Sequence, residues 1–382
     1  MLDYKRSLKA KLVNEFSSYA LDKGASFAYT KFYAKLALMD FKTYLQATAL
    51  DINQEMEIFF QTWNKEVENI SPKLIPLNQA FVEACEGGKR LRGALVKLGY
   101  ELTGAPVNSE ILKASVAIEL FQTAILAHDD IIDKSPLRRG KPTLYKALGD
   151  NHYGMSQAIC LGDIGFFLGV RLITQSDFGK EEKNLAIQSF SDMVLETALG
   201  EILDIELPHL DEEKLEQDVV TIFRLKTAKY TIVAPLQLGA VLGGGGQKLL
   251  EDISKFGENL GIAFQIQDDL LGVFGDEETI GKSVTSDIEE GKLTLLSVYG
   301  IQQADSAQKA ILDSYYGKGE INQEQLEQIR DVFIKTGALD YAQKEAEKYV
   351  SVAKKIIPEI AKTKEHINLL TEMADFLVKR SN

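Results

Sequence analysis

Charge carried to the end of an apolar helix restricts this chain more than any other feature. The run Ala117-Ile118-Glu119-Leu120-Phe121-Gln122-Thr123-Ala124-Ile125-Leu126-Ala127 reads as a mostly buried helix and leads directly into His128-Asp129-Asp130-Ile131-Ile132-Asp133. On a helix Asp129 and Asp133 lie one turn apart on one face, where two carboxylates repel unless something positive sits between them. A hard divalent cation resolves that conflict, and Mg²⁺ needs only one or two carboxylates besides phosphate oxygens and water. Ala263-Phe264-Gln265-Ile266-Gln267-Asp268-Asp269-Leu270-Leu271 repeats the arrangement, with Asp276 a little further on. Aspartate is also common at solvated helix ends and N-caps, but two apolar-flanked copies in one chain weigh against that reading.

The periodicity around these runs predicts an all-α protein. From Glu55 onward apolar residues recur at helical spacing, with short breaks at Pro72, Pro76, Gly104-Ala105-Pro106 and Pro208 and no alternating β-branched run that marks a sheet. Gly243-Gly244-Gly245-Gly246 lacks the Lys-Ser/Thr pair of a phosphate loop and is expected to stop a helix. Residues 303–380 read as amphipathic outer helices. No Pro/Ser-rich linker divides the 382 residues, of which 45% are hydrophobic.

The chain is read as an N-terminal extension, 1–52, and a main domain, 53–382. Residues 1–50 hold eight Lys/Arg against four Asp/Glu, although the whole chain carries −13. Phe27 to Phe41 has helical spacing with Lys31 and Lys35 between aromatics, which suits packing on the protein itself or peripheral contact with an anionic membrane. Net acidity argues against nucleic acid as partner. No uninterrupted apolar run reaches the length of a membrane span. Two cysteines, Cys85 and Cys160, and no secretory signal predict a cytoplasmic protein.

Several cationic clusters accompany the carboxylates. Gly87-Gly88-Lys89-Arg90-Leu91-Arg92-Gly93 is expected to start a helix with Lys89 and Arg92 on one face, a poor choice beside a positive dipole end but a good one for binding a diphosphate. Arg138-Arg139-Gly140-Lys141 follows the first aspartates, and its guanidiniums suit phosphate oxygens once metal ions occupy the carboxylates. Lys226-Thr227 lies in a helical stretch, and Gly281-Lys282 to Gly291-Lys292 follows the second pair. A ligand with polyanion, divalent metal and oily tail satisfies all of these together: an isoprenoid diphosphate.

From about residue 55 to the C-terminus these motifs, with Thr336-Gly337-Ala338-Leu339-Asp340-Tyr341 and the closing Phe376-Leu377-Val378-Lys379-Arg380, resemble the trans-prenyltransferases, the polyprenyl diphosphate synthases. The resemblance implies an isoprenoid synthase-type helical bundle around a central cavity, usually homodimeric. It implies head-to-tail condensation of isopentenyl diphosphate with an allylic diphosphate to give a trans-polyprenyl diphosphate. On this likeness Asp129, Asp133 and Asp268 ligate Mg²⁺, about three ions per site, with Asp130 and Asp269 in support. Lys89, Arg92 and Arg139 hold isopentenyl diphosphate; Arg138, Lys226, Lys282 and Lys292 hold the allylic one; Thr227 and Gln265 face the reacting carbons. Asp129, Asp130, Asp133, Lys226, Gln265, Asp268 and Asp269 form the catalytic set.

Departures are Gln122, where many members have a histidine at the isopentenyl site, and Gly272, where the second motif often has its last aspartate. Ile125 and Ala124 stand where shorter-product relatives often carry aromatics. The floor is then expected one turn deeper, about 5.4 Å along the helix, at Phe121, which gives geranylgeranyl diphosphate as the expected product and longer chains as the next. Other readings are a non-catalytic subunit of such a synthase, or a terpene cyclase, which leaves Lys89 and Arg92 unexplained.

Overall fold

Helices with one dry face become stable by packing that face against others, and here they do so as a bundle. The computed structural model describes residues 40–106, 108–210, 213–275 and 284–378. Residues 27–39 of the basic aromatic stretch, Asp276, Lys282, Lys379 and Arg380 lie outside them. The helices are α1 Phe41–Ile70, α2 Ile75–Ala84, α3 Leu91–Leu102, α4 Glu110–Ile132, α5 Leu144–Ala147, α6 His152–Gln175, α7 Lys180–Glu206 and α8 Glu216–Ile222. Then follow a π-helical segment Phe223–Val233, α9 Ala234–Leu242, α10 Gln247–Phe274, α11 Ser286–Glu289, α12 Leu295–Gln303, α13 Ser306–Tyr315, α14 Gln323–Lys335, α15 Ala338–Ile360 and α16 Lys364–Val378. Among the described residues the only strands are β1 Leu137–Arg138 and β2 Lys141–Pro142, a two-residue antiparallel pair.

Asp40 caps α1 by accepting the Thr43 N–H at 2.7 Å. The helix then runs unbroken through the junction of residues 52 and 53. Phe41, Tyr44, Leu45 and Ile52 are all buried, and the Phe41 N–H donates to Glu372 of α16 at 2.9 Å. One face of residues 41–52 therefore packs into the core of the bundle. The four-glycine stretch ends α9 and leads into α10 through Gly244 in the left-handed region.

Two helices correct the expectation about membrane-length runs. Glu110–Ile132 and His152–Gln175 are each long and apolar enough to cross a bilayer, because helical length accumulates across isolated polar residues that interrupt a strict apolar run. For α4, 72% of that window is buried inside the protein, which accounts for its apolarity as core; for α6 only 44% is. The remainder of α6 joins α7 in an apolar outer face with Phe167, Leu195, Leu199 and Ile202 more than half exposed.

The π-helical segment, where a plain helix was expected, carries Lys226 and Thr227 and is held on two sides by close backbone approach. A Cβ on Gly200 of α7 would stand 2.5 Å from the Lys226 nitrogen, and one on Gly261 of α10 would stand 2.4 Å from Ala228 Cα. Such single-register segments recur at functional sites. Gly261→Ala is expected to lower stability by about 1–3 kcal/mol through this overpacking, measured by urea unfolding; an unchanged midpoint would contradict the close approach.

Candidate active site

The two aspartate helices deliver their carboxylates to one cavity of about 250 Å³. Asp129 and Asp133 reach it from the end of α4, Asp268 and Asp269 from α10, Arg138 from β1, Lys226 and Thr227 from the π-helical segment, and Lys292 from the turn after α11. Ile125, Leu126 and Phe223 supply apolar wall, and Gln265 completes the lining beside Asp269.

Each cation is tied to carboxylates. The Arg138 guanidinium stands 2.6 Å from Asp130 and 3.2 Å from Asp129. Lys226 Nζ lies 2.8 Å from Glu201, 2.7 Å from Asp204 and 3.8 Å from Asp129. Burial opposes its charge, but the carboxylates outweigh burial and hold its pKa above the ordinary lysine range. Lys292 is raised in the same way by Asp287, Glu290 and Asp133 against an opposing burial. The Lys292 carbonyl accepts from the Ser297 and Tyr316 hydroxyls, which fixes the turn.

The pKa values of the acids are raised as well, which for a carboxyl favours the neutral form. Burial, then Asp129, raises Asp133; burial, then Lys226 in opposition, leaves Glu201 raised; burial, then Asp287, raises Asp269 well above the usual carboxylate range. Thr227 donates to Gln265 Oε1 at 2.7 Å and Gln265 Nε2 donates to Asp269 Oδ1 at 2.7 Å, a chain that orients the amide. Asp269 Oδ2 is buried without a hydrogen-bond partner.

That orphan oxygen supports the fit of a hard cation. Ligand oxygens of Asp129, Asp133 and Glu201 all lie within 4.8 Å of one another, and an all-oxygen donor set suits Mg²⁺. Glu201 and Asp204 went unassigned from the sequence. Their signal is a carboxylate pair three apart on an otherwise apolar stretch of α7, the same kind of signal that marked α4 and α10, but without adjacent aspartates.

The expected isopentenyl-binding residues lie outside this cavity. Arg138, Arg139 and Asp130 line a second cavity of about 440 Å³, bounded by Gly87, Gly88, Thr123 and Lys141. The hairpin tip Arg139-Gly140 has φ of 54° and 73°, the positive pair of a type I′ turn, so Arg139 occupies a conformation that usually falls to Asn or Gly. Among the described residues no carboxylate stands within ion-pair distance of Arg139, and burial, against the opposing charge of Glu119 and with Arg90, Arg138 and Arg92, lowers its pKa. Arg92 stacks 4.2 Å from the Tyr230 ring and donates to Thr231 at 2.8 Å. Lys89 does not share a helix face with it: Gly87, Gly88 and Arg90 are left-handed, so α3 begins only at Leu91. Gln122 is buried with its Oε1 unpartnered. Phe121 lies in an aromatic cluster with Phe166, Phe190 and Tyr230 at 5.5–6.1 Å, and Ala124 packs against Gly165.

Mg²⁺ with an unreactive diphosphate analogue is expected to raise the unfolding temperature at neutral pH, by about 2.7 kcal/mol of stability at a hundredfold excess over Kd. The native carboxyls with raised pKa take up protons at higher pH than their unfolded counterparts, so their own contribution to stability grows as pH falls through the raised values. Protons then compete with the metal, and the gain from Mg²⁺ shrinks in that direction. A gain that grew on acidification would contradict the site.

Residues 76–333 match the family model described as polyprenyl synthetase. A geranylgeranyl diphosphate synthase of Sulfolobus acidocaldarius is 34% identical over 77% of this chain and 87% of its own length. A geranylfarnesyl diphosphate synthase of Aeropyrum pernix is 33% identical over 77% and 91%. The crystal structure of a geranylgeranyl pyrophosphate synthase of Corynebacterium glutamicum, complexed with isoprenyl diphosphate and magnesium, covers 90% of this chain and 100% of its own at a TM-score of 0.81 and 27% identity. With two aspartate clusters and their cations gathered on one cavity of a helical bundle, and with these likenesses over most of its length, the chain belongs to the polyprenyl synthetase family.

Proposed function

We propose that this protein is a trans-prenyltransferase that condenses isopentenyl diphosphate head-to-tail with an allylic diphosphate. The observation that carries the reading is the convergence on one cavity of both carboxylate clusters with Arg138, Lys226 and Lys292 from separate elements. That is a site built for a metal-bound polyanion, and the apolar wall beside it suits an isoprenoid tail.

Arg138, Lys226 and Lys292 bind the allylic diphosphate and neutralise the charge that grows on it as its C–O bond breaks. Asp129, Asp133, Glu201, Asp268 and Asp269 would hold Mg²⁺, about three ions, which would supply Lewis-acid stabilisation to the same leaving group. Lys282 would add to this cation set. The allylic cation left behind faces the Thr227 hydroxyl and the Gln265 amide, while Ile125, Leu126 and Phe223 keep water out. Lys89, Arg92 and Arg139 hold isopentenyl diphosphate so that its double bond attacks the cation at close range. Gln122 adds a neutral hydrogen-bonding group to that set. The new C–C bond forms, the C–O bond has broken, and the proton lost from the isopentenyl carbon passes to the released diphosphate. No histidine lines the cavity among the described residues.

The apolar face of α6 and α7 supports a homodimer, since an exposed patch with Phe167, Leu195, Leu199 and Ile202 is a surface that a second copy would cover. Sedimentation at twice the monomer mass of 42.4 kDa is expected, and a monomer at micromolar concentration would remove the idea. Localisation in the cytoplasm accords with that assembly.

Product length follows from the wall beneath Asp129. Ile125 and Tyr230 line the cavity, and Phe121, one turn deeper on α4 and in ring contact with Tyr230, Phe166 and Phe190, is the floor of this reading, with geranylgeranyl diphosphate as the product. Incubation with isopentenyl diphosphate, Mg²⁺ and an allylic primer is expected to yield that product. Phe121→Ala is expected to shift it by one or more isoprene units. An unchanged product from the variant would mean that the floor lies elsewhere.

A further inference from the structure

The run Lys89-Arg90-Leu91-Arg92 offers three cations, but they face different ways. Lys89 is exposed and Arg92 half-buried, whereas Arg90 is only 5% exposed. Its backbone is left-handed at φ 54°, a strained choice for an arginine. Its guanidinium ties three parts of the bundle together. Nε donates to Asn53 of α1 at 2.7 Å, Nη2 donates to the Cys85 carbonyl at the end of α2 at 2.8 Å, and Nη1 meets Glu119 of α4 at 3.5 Å.

Glu119 is equally buried and is used twice. Its second oxygen accepts the Gly93 N–H at 2.8 Å, one of the donors that the start of α3 leaves without an intrahelical partner. Neither Glu119 nor Arg90 lines either cavity. A buried ion pair is weak evidence for stability, because well-packed apolar residues often hold helices as firmly. What this pair does fix is a turn with three left-handed residues, placed so that a Cβ on Gly88 would touch the Arg139 guanidinium at 3.0 Å.

We propose that Glu119, acting through Arg90 and the Gly93 N–H, is the positioning residue of the isopentenyl diphosphate subsite: it sets where Lys89 and Arg92 stand relative to Arg139 and leaves the allylic side untouched. This rests on the prenyltransferase reading above. Lys226 and Lys292 are held by carboxylates other than Glu119, and Arg138, which lines both cavities, is held by Asp129 and Asp130, so none of the three depends on the Glu119 clamp.

Steady-state kinetics of the full chain and its Glu119→Gln and Arg90→Lys variants, with Mg²⁺ and both diphosphates, test the proposal. The expected result is a rise of at least about tenfold in KM for isopentenyl diphosphate, with kcat and the allylic KM within about threefold. Substrate-free hydrogen exchange of amides 86–94 is expected to quicken in both variants. If Glu119→Gln loses cooperative unfolding, Arg90→Lys, which keeps a positive charge, decides. Both KM values rising together, or neither rising, would overturn the proposal. A wild-type chain that forms no product from any allylic primer would overturn the prenyltransferase reading instead; exchange then tests the clamp alone, and unchanged amide protection would sink it.

Discussion

Repulsion among carboxylates crowded at one cavity is the constraint on which the rest of this structure depends. Asp129, Asp133, Glu201, Asp268, Asp269 and Asp287 all line it, and burial makes each charge there costlier than at a surface. The protein offsets that cost with cations drawn from separate elements, a lysine in a π-helical segment, an arginine in a hairpin and a lysine in a clamped turn. The local structures that look least regular, π-helix, hairpin and turn, are those that carry the cations. The regular helices α4 and α10 carry the acids.

Much of this arrangement was legible in the sequence because it rests on helix geometry. Asp129 and Asp133 one turn apart, and an apolar run leading to them, leave few alternatives to a buried acidic site. Asp268, Asp269, Gln265, Lys226, Thr227, Arg138 and Lys292 all line the cavity. What the sequence left obscure depends on tertiary contact. Glu201 and Asp204 become site residues only because α7 packs against the π-helical segment across Gly200. The inward turn of Arg90, between two outward cations of the same sign, depends on Glu119 twenty-nine residues later. The start of α3 at Leu91 depends on backbone conformations that periodicity does not report.

Left-handed non-glycine residues border both cavities. Arg90 and Arg139 are both left-handed without being glycine, and both border the turn proposed to hold isopentenyl diphosphate. Holding a bulky residue there costs of order 1–3 kcal/mol. In Arg90 that cost is met by three hydrogen-bonded neighbours. Arg139 has no carboxylate within ion-pair distance among the described residues, Glu119 acting on it only through space, and its guanidinium suits a phosphate. The allylic side has one such residue, Lys134 at φ 54° between Asp133 and Ser135 of the cavity lining, and its cations are saturated by acids that a metal would share.

Single-turnover condensation, followed by mass analysis of the product, asks whether both aspartate clusters act on one leaving group when the wild-type chain is compared with Asp129→Asn and Asp268→Asn. The wild type is expected to give a Mg²⁺-dependent prenyl diphosphate product and each variant to lose at least about 100-fold in rate, because both clusters stabilise one leaving group. Either variant at the wild-type rate, or no product from a wild-type chain that still binds diphosphate with Mg²⁺, would contradict this expectation.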